Sequence, residues 1–219
     1  MNKQVKNLPP CIYVLAGPNG GGKSSIVGAE MLADADYFNP DVESKTIRAR
    51  DPGISEYDAN SIAWKLGKSF LERAISEGKN FAIETTLGGN TITELLEQAA
   101  DSGLEVRVWF ICLASAEQHI KRVQARVAKG GHNIPEEKIR ERFDRGRANL
   151  IRLLPRMTEV RLFDNSIEAD PADGREPKPR LILHFHTGSI VSVCPAAETP
   201  IWAKPLVEAA TKLAAKKTR

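Results

Sequence analysis

The sequence predicts an α/β fold, a parallel sheet with helices on both faces. Three observations lead there. Short apolar runs such as CIYVLA, FAIE and VRVWFICLA recur along the chain, as strands buried on both faces do. Stretches with helical spacing separate them, the alternation that builds parallel sheets. The first apolar run leads straight into GPNGGGKSS, residues 17–25, so that a strand, a glycine loop and a helix start follow one another.

CIYVLA, 11–16, reads as the first strand, and residues 23–32 as the helix after the loop. YFNPD, 37–41, reads as the end of a second strand broken by Pro40, followed by a loop holding Asp51, Pro52 and Gly53. From Asp58 to Glu77, Ile62, Leu66, Phe70 and Ala74 recur at helical spacing with Ala63 and Leu71 beside them, so these residues are expected to face the core. Gly78 ends that helix. FAIE, 81–84, is the third strand, and Thr91 to Ala100 a helix closed by DSG. VRVWFICLA, 106–114, is the most apolar strand, and Ser115 caps a helix over 116–128. Pro135 opens a basic helix running to about Leu154, and VRLFDNS, 160–166, is a fifth strand and its exit. Beyond it lie the loop DPADGREPKP, an alternating segment around HTGS that predicts a β-hairpin over 181–194, and a C-terminal helix with a basic tail. The expected organisation is a core over 1–166, with hairpin and helix in 167–219 appended to the same domain.

Composition excludes several classes. Hydrophobic content of 42% and charged content of 27% are those of a globular chain. A net charge of +3 makes no case for nucleic acid. No apolar run approaches the roughly 20 residues of a membrane helix, and the run at 11–16 leads into a glycine loop rather than a cleavage site. Cys11, Cys112 and Cys194 are odd in number and far apart, which predicts free thiols and a cytoplasmic location. Trp64 and Trp109 are expected in the core, and Trp202 as an anchor for the C-terminal helix. His184 and His186 alternate on a strand without acid or Cys partners, a structural pattern rather than a metal pair.

Gly17-Pro18-Asn19-Gly20-Gly21-Gly22-Lys23-Ser24 fits G-x-x-x-x-G-K-[ST] at every fixed position, with Ser25 behind it. Glycines let backbone N–H groups turn inward around a phosphate, and the following helix points its positive end at it. Lys23 adds charge at the β/γ junction of ATP, and Ser24 offers a hydroxyl to Mg²⁺. No N-K-x-D appears to read a guanine, and no strand ends in clustered acids as motor ATPases have. Instead Asp41 and Glu84 each stand alone at a strand end, where ligands of open α/β sheets bind. A kinase needs such a carboxylate as proton acceptor, and positive charge over the transferring phosphoryl group. Arg122 and Arg126, four residues apart before a glycine loop, suit a closing lid over about 122–142. Bland readings compete: Asp41 as a cap, the arginines as a solvated basic face like KIRERFDRGR, His132 as an exposed loop residue. The residues thus predict a P-loop kinase-like sheet with an arginine-bearing lid, and leave open a nucleotide-binding module that regulates a protein partner.

GPNGGGKSS, NPD, ETT, RVQARVAKGGHNIPEEKIRERF and FDNS, in this order, resemble the zeta-toxin family over about residues 11–166. The resemblance implies a kinase that uses ATP and Mg²⁺ to phosphorylate a sugar hydroxyl of UDP-N-acetylglucosamine, and an antitoxin protein as partner. It implies Lys23 and Ser24 as phosphate-loop lysine and Mg²⁺ residue, and Asp41 as general base. Glu84, with Thr85 of ETT, would lie near the sugar and metal, and Arg122 and Arg126 would be lid arginines. His132 stands where plasmid-type toxins carry a second arginine, a departure that bears on the lid and the substrate. Another nucleotide sugar, a nucleoside or a polynucleotide end remain alternative acceptors.

Overall fold

The structure, a computed structural model, describes residues 9–23, 35–167 and 179–217. The predicted helix at 23–32 lies almost entirely outside them, as do Ser24 and Ser25. Among the described residues, seven strands form one sheet in the order β2-β3-β1-β4-β5-β6-β7. They are β1 (Cys11–Ala16), β2 (Asp36–Phe38), β3 (Phe81–Thr85), β4 (Glu105–Cys112), β5 (Glu159–Asp164), β6 (Arg180–His186) and β7 (Ser189–Val193). The first five run parallel, and the C-terminal hairpin extends the same sheet antiparallel from β5. Its two-residue turn, Thr187-Gly188, has both φ angles positive, matching the twist of the strands it joins.

Alternation along β1 and β4 divides the core. Ile12, Val14, Val106, Val108 and Phe110 face one side, where helices bring Leu71, Leu96, Leu150 and Leu206 against them. Leu15 and Ile111 face the other, with Tyr13, Trp109 and Phe163 beside them. Trp109 is therefore partly buried, its ring 5.9 Å from Phe163 and under the Arg161 guanidinium. Trp202 is fully buried against Phe110 and leads into the C-terminal helix, as the sequence predicts. Cys11, Cys112 and Cys194 are free, the first two buried.

Two helices depart from expectation. Residues read as a loop after Pro40 form α1 (Pro40–Arg50). Its only buried residue is Ser44, so no apolar period announces it. Its start is encoded differently: Asn39 accepts from the Asp41 and Val42 amides, Pro40 opens the first turn, and Asp41 and Glu43 suit the helix dipole.

The second, α2 (Glu56–Glu77), has the predicted extent and a left-handed Gly78 cap; of its predicted core residues Ala63, Leu71 and Ala74 are buried and Leu66 packs against the core, but the buried stripe is shifted off Ile62 and Phe70. Ala59, Ala63, Gly67, Leu71 and Ala74 lie inward, whereas Ile62 and Phe70 are 40% and 42% exposed. Trp64, expected in the core, is 44% exposed. Small side chains decide this, because they let the helix approach Phe38 more closely than the larger stripe would. A Cβ on Gly67 would stand 2.6 Å from the Phe38 ring. Gly67→Ala is therefore expected to destabilise the protein by about 1–2 kcal/mol, overpacking outweighing the gain in helix propensity. The urea unfolding midpoint checks this.

The remaining α-helices among the described residues are α3 (Asn90–Asp101), α4 (Ala116–Val127), α5 (Glu136–Leu153) and α6 (Lys204–Lys217). Ser115 caps α4 as predicted, its hydroxyl accepting from the Gln118 amide. Among the described residues, no helix is long and apolar enough to cross a membrane.

Candidate active site

β1 pairs with β3 on one side and β4 on the other, so the chain leaves it where the strand order reverses. Crevices at such points, beyond the carboxyl ends of the strands, bind ligands in open α/β sheets. The glycine loop occupies this one. Gly17 starts it at φ 136°, its amide donating to the Thr85 carbonyl, and a Cβ there would lie 2.0 Å from the Ile111 carbonyl oxygen. Only glycine fits between the ends of β1 and β4.

Lys23 folds back over the loop. Its ammonium donates to the Gly17 and Pro18 carbonyls at 2.9 and 3.3 Å and stands 3.5 Å from the Glu84 carboxylate. Both side chains are largely buried. The other Glu84 oxygen accepts from Asn39 Nδ2 at 2.8 Å and from the Tyr37 hydroxyl at 3.0 Å. Burial, with the Glu84 charge second, pushes the Tyr37 hydroxyl up to about 12, so it stays a donor. Asn39 thereby links the two predicted acids, capping the helix that carries Asp41 with one end and holding Glu84 with the other.

Asp41 sits in the first turn of α1, where the cap is Asn39 and not Asp41. It lines two cavities. One, of about 610 Å³, is shared with Lys23, Glu84, Thr85, Trp64 and Arg142. The other, of about 560 Å³, is strongly basic, lined by Lys45, Arg122, Arg126 and Lys129. His132 lines both as well. Its Nδ1 meets Glu56 at the start of α2, and burial lowers its pKa while Asp41 pulls the other way. The structure thus brings Lys23, Asp41, Glu84, Thr85 and His132 around one cavity, and Arg122 and Arg126 onto the neighbouring one. Arg122 donates to the Asn165 carbonyl at 2.7 Å, and Arg126 to the His132 carbonyl at 3.1 Å.

Besides Tyr37 and Asn39, two further residues of this centre escape the sequence reading. Arg142, in the basic helix α5, donates to Asn19 Oδ1 at 2.8 Å and faces the larger cavity. Burial pulls its guanidinium below the ordinary value, and Asp41 opposes that. His119 is wholly buried behind the loop. The signal for both was position: Ile139, Arg142, Phe143 and Gly146 share one face of α5, and His119 shares the buried face of α4 with Ala116, Ile120 and Val123. His184 stands 3.2 Å from Glu159, and no cluster of three or more His, Cys, Asp or Glu forms a metal site among the described residues.

A glycine loop at the sheet's switch point and an enclosed lysine define a P-loop nucleotide-binding protein of kinase-like fold. The family described as an AAA domain matches residues 12–153, and the chain belongs to it. An uncharacterized protein of Haemophilus influenzae is 30% identical over 58% of this chain and 88% of its own length. A guanylate kinase of Clostridium perfringens is 27% identical over 62% of this chain and 68% of its own. Among solved structures, the AvrRxo1-ORF1:AvrRxo1-ORF2 complex with sulphate ions superposes with a TM-score of 0.66 at 17% identity, covering 95% of this chain and 76% of that one. The PezAT chromosomal toxin–antitoxin system of Streptococcus pneumoniae gives 0.54 at 14%, over 98% and 89%. At these identities the likeness is one of fold.

Proposed function

We propose that this protein is an ATP- and Mg²⁺-dependent kinase of zeta-toxin type that phosphorylates a sugar hydroxyl of UDP-N-acetylglucosamine or a related nucleotide sugar. The observation that carries the reading is the position of Asp41, a carboxylate lining both a basic cavity and the larger one beside the glycine loop. A kinase needs a proton acceptor where donor and acceptor substrates meet.

The loop fits a nucleotide phosphate, since its glycines let the backbone lie close against β4 and α4, where a Cβ at Gly17 or Gly20 would strike the Ile111 or His119 carbonyl, and leave its N–H groups free of side chains. Residues 17–25 would hold the phosphates, and the Ser24 hydroxyl would hold Mg²⁺, which supplies charge neutralisation when bound. Lys23 places positive charge on the loop. Asp41 accepts the proton from the attacking hydroxyl. Arg122 and Arg126 line the basic cavity with Asp41, and Arg142 shares the larger one with it as a further cation for the transferring group. Glu84, Thr85 and His132 orient the acceptor in the larger cavity, where the exposed Trp64 ring offers a stacking surface. The free thiols suit a cytoplasmic enzyme. The PezAT neighbour is a toxin–antitoxin system, which favours an antitoxin as partner.

A second reading is favoured by the guanylate kinase relative: the acceptor is a nucleotide phosphate, which needs no base. Phosphorus NMR of the protein with ATP, Mg²⁺ and UDP-N-acetylglucosamine tests the first. The expected result is a new phosphomonoester resonance appearing with ADP. ADP without a new ester would remove this acceptor. No turnover with any acceptor would leave a nucleotide-binding module that acts on a protein partner.

A further inference from the structure

Behind the loop, and outside the chemistry above, lies a histidine bonded to it directly. The His119 side chain is fully buried on α4. Its Nε2 accepts from the Leu113 amide at 3.0 Å, just beyond β4. A neutral imidazole has one donor and one acceptor nitrogen, so Nδ1 carries the proton. That Nδ1 lies 2.8 Å from the Asn19 carbonyl oxygen, which can only accept. Burial keeps the ring neutral, drawing its pKa down to about 4 against the opposing Asn19 bond. The ring edge packs on Phe143, 5.7 Å between centroids. The loop rests on this residue without a gap: a Cβ on Gly20 would lie 2.7 Å from the His119 carbonyl oxygen.

We propose that His119 is a positioning residue for the phosphate loop, its Nδ1–H fixing the Asn19 carbonyl and so the direction of the Gly20 N–H. The reason is peptide planarity. The Asn19 C=O and the Gly20 N–H belong to one trans peptide unit and point in opposite directions. Drawing the carbonyl into the protein aims the amide outward, toward the phosphate side. Asn165 does the same two peptides later, its Nδ2 donating to the Gly21 carbonyl at 2.9 Å. Arg142 holds the Asn19 side chain, so β4, α4 and α5 together set the loop before any ligand arrives.

The proposal rests on the loop binding nucleotide phosphate, and its test separates the two ideas. In His119→Asn the amide nitrogen stands near the place of Nδ1 and keeps the bond to Asn19. In His119→Gln the amide reaches the place of Nε2 and keeps only the Leu113 bond. Titration calorimetry with ATP and Mg²⁺ is expected to show about tenfold weaker binding for Gln, and binding within about threefold of the unsubstituted protein for Asn. Melting temperatures should fall in both, because both lose the ring. Equal affinity loss in the two variants, or none in Gln, overturns the proposal. Should the unsubstituted protein bind no ATP, the nucleotide reading fails, and the loop itself still decides: the Gly20 amide signal should shift in Gln and much less in Asn. A third measurement needs no variant, since ¹⁵N spectra of the His119 ring showing the Nε2–H tautomer would refute the assignment.

Discussion

Replacing Asp41 by Asn is expected to lower kcat for phosphoryl transfer by about 10²–10⁴-fold and to leave ATP affinity within about threefold. The substitution is nearly isosteric and spares the local structure. The capping bonds of α1 run from the Asp41 and Val42 amides to Asn39, so they do not need the Asp41 carboxylate. What disappears is a negative charge at a helix N-terminus, about 0.3–1 kcal/mol of stability, and the proposed proton acceptor, a carboxylate that lines both cavities. Steady-state kinetics with the nucleotide sugar, beside calorimetry with ATP, separates the effects. A fall in kcat alone supports the base. A rise in KM with kcat preserved would make Asp41 a binding residue. An unchanged kcat would favour a phosphate acceptor, as in a guanylate kinase, or the regulatory module.

The parts legible in the sequence are those where local chemistry and tertiary demand agree. Buried parallel strands must be apolar throughout, so β1, β3 and β4 stand out within one or two residues of their ends. The phosphate loop is legible because its backbone needs glycine and its ligand needs lysine. Legibility fails where polar groups are buried by mutual pairing. Arg142 looks like one more cation in KIRERFDRGR, and only the position of α5 over the loop turns it inward onto Asn19. His119 looks like a helix residue of no special kind until Leu113 and Asn19 meet it from two other elements. The α2 helix fails differently. Hydrophobic spacing finds Ala63, Leu71 and Ala74, which are buried, but widens the face to Ile62 and Phe70, which are 40% and 42% exposed. Close approach to Phe38 selects the face with Gly67, which the apolar count passes over, rather than the one with Ile62 and Phe70. Packing, not hydrophobicity, ranks the two faces, and it leaves Trp64 free to line a cavity.

Lys23→Met should separate what the loop does for stability from what it does for activity. Met keeps the length of the side chain and removes its charge. The Glu84 carboxylate then keeps its bonds from Asn39 and Tyr37 but loses its cation, while the Gly17 and Pro18 carbonyls lose a donor. Removing one member of a largely buried ion pair costs about 3 kcal/mol, because the remaining charge is left uncompensated. Neutralising the partner in Lys23→Met/Glu84→Gln should therefore return part of that loss, on the order of 1–2 kcal/mol, a coupling that a double-mutant cycle measures by urea unfolding. Activity should not return with it. In the proposed reaction the lysine charge at the transferring phosphoryl group is worth on the order of 10²–10³-fold in kcat/KM, and no other side chain of the loop carries a positive charge. Both variants should be inactive to that degree, while only the single one is strongly destabilised. Recovery of activity along with stability would mean that Lys23 serves to hold Glu84 in place, and the charge at the phosphate would have to come from Arg122, Arg126 or Arg142.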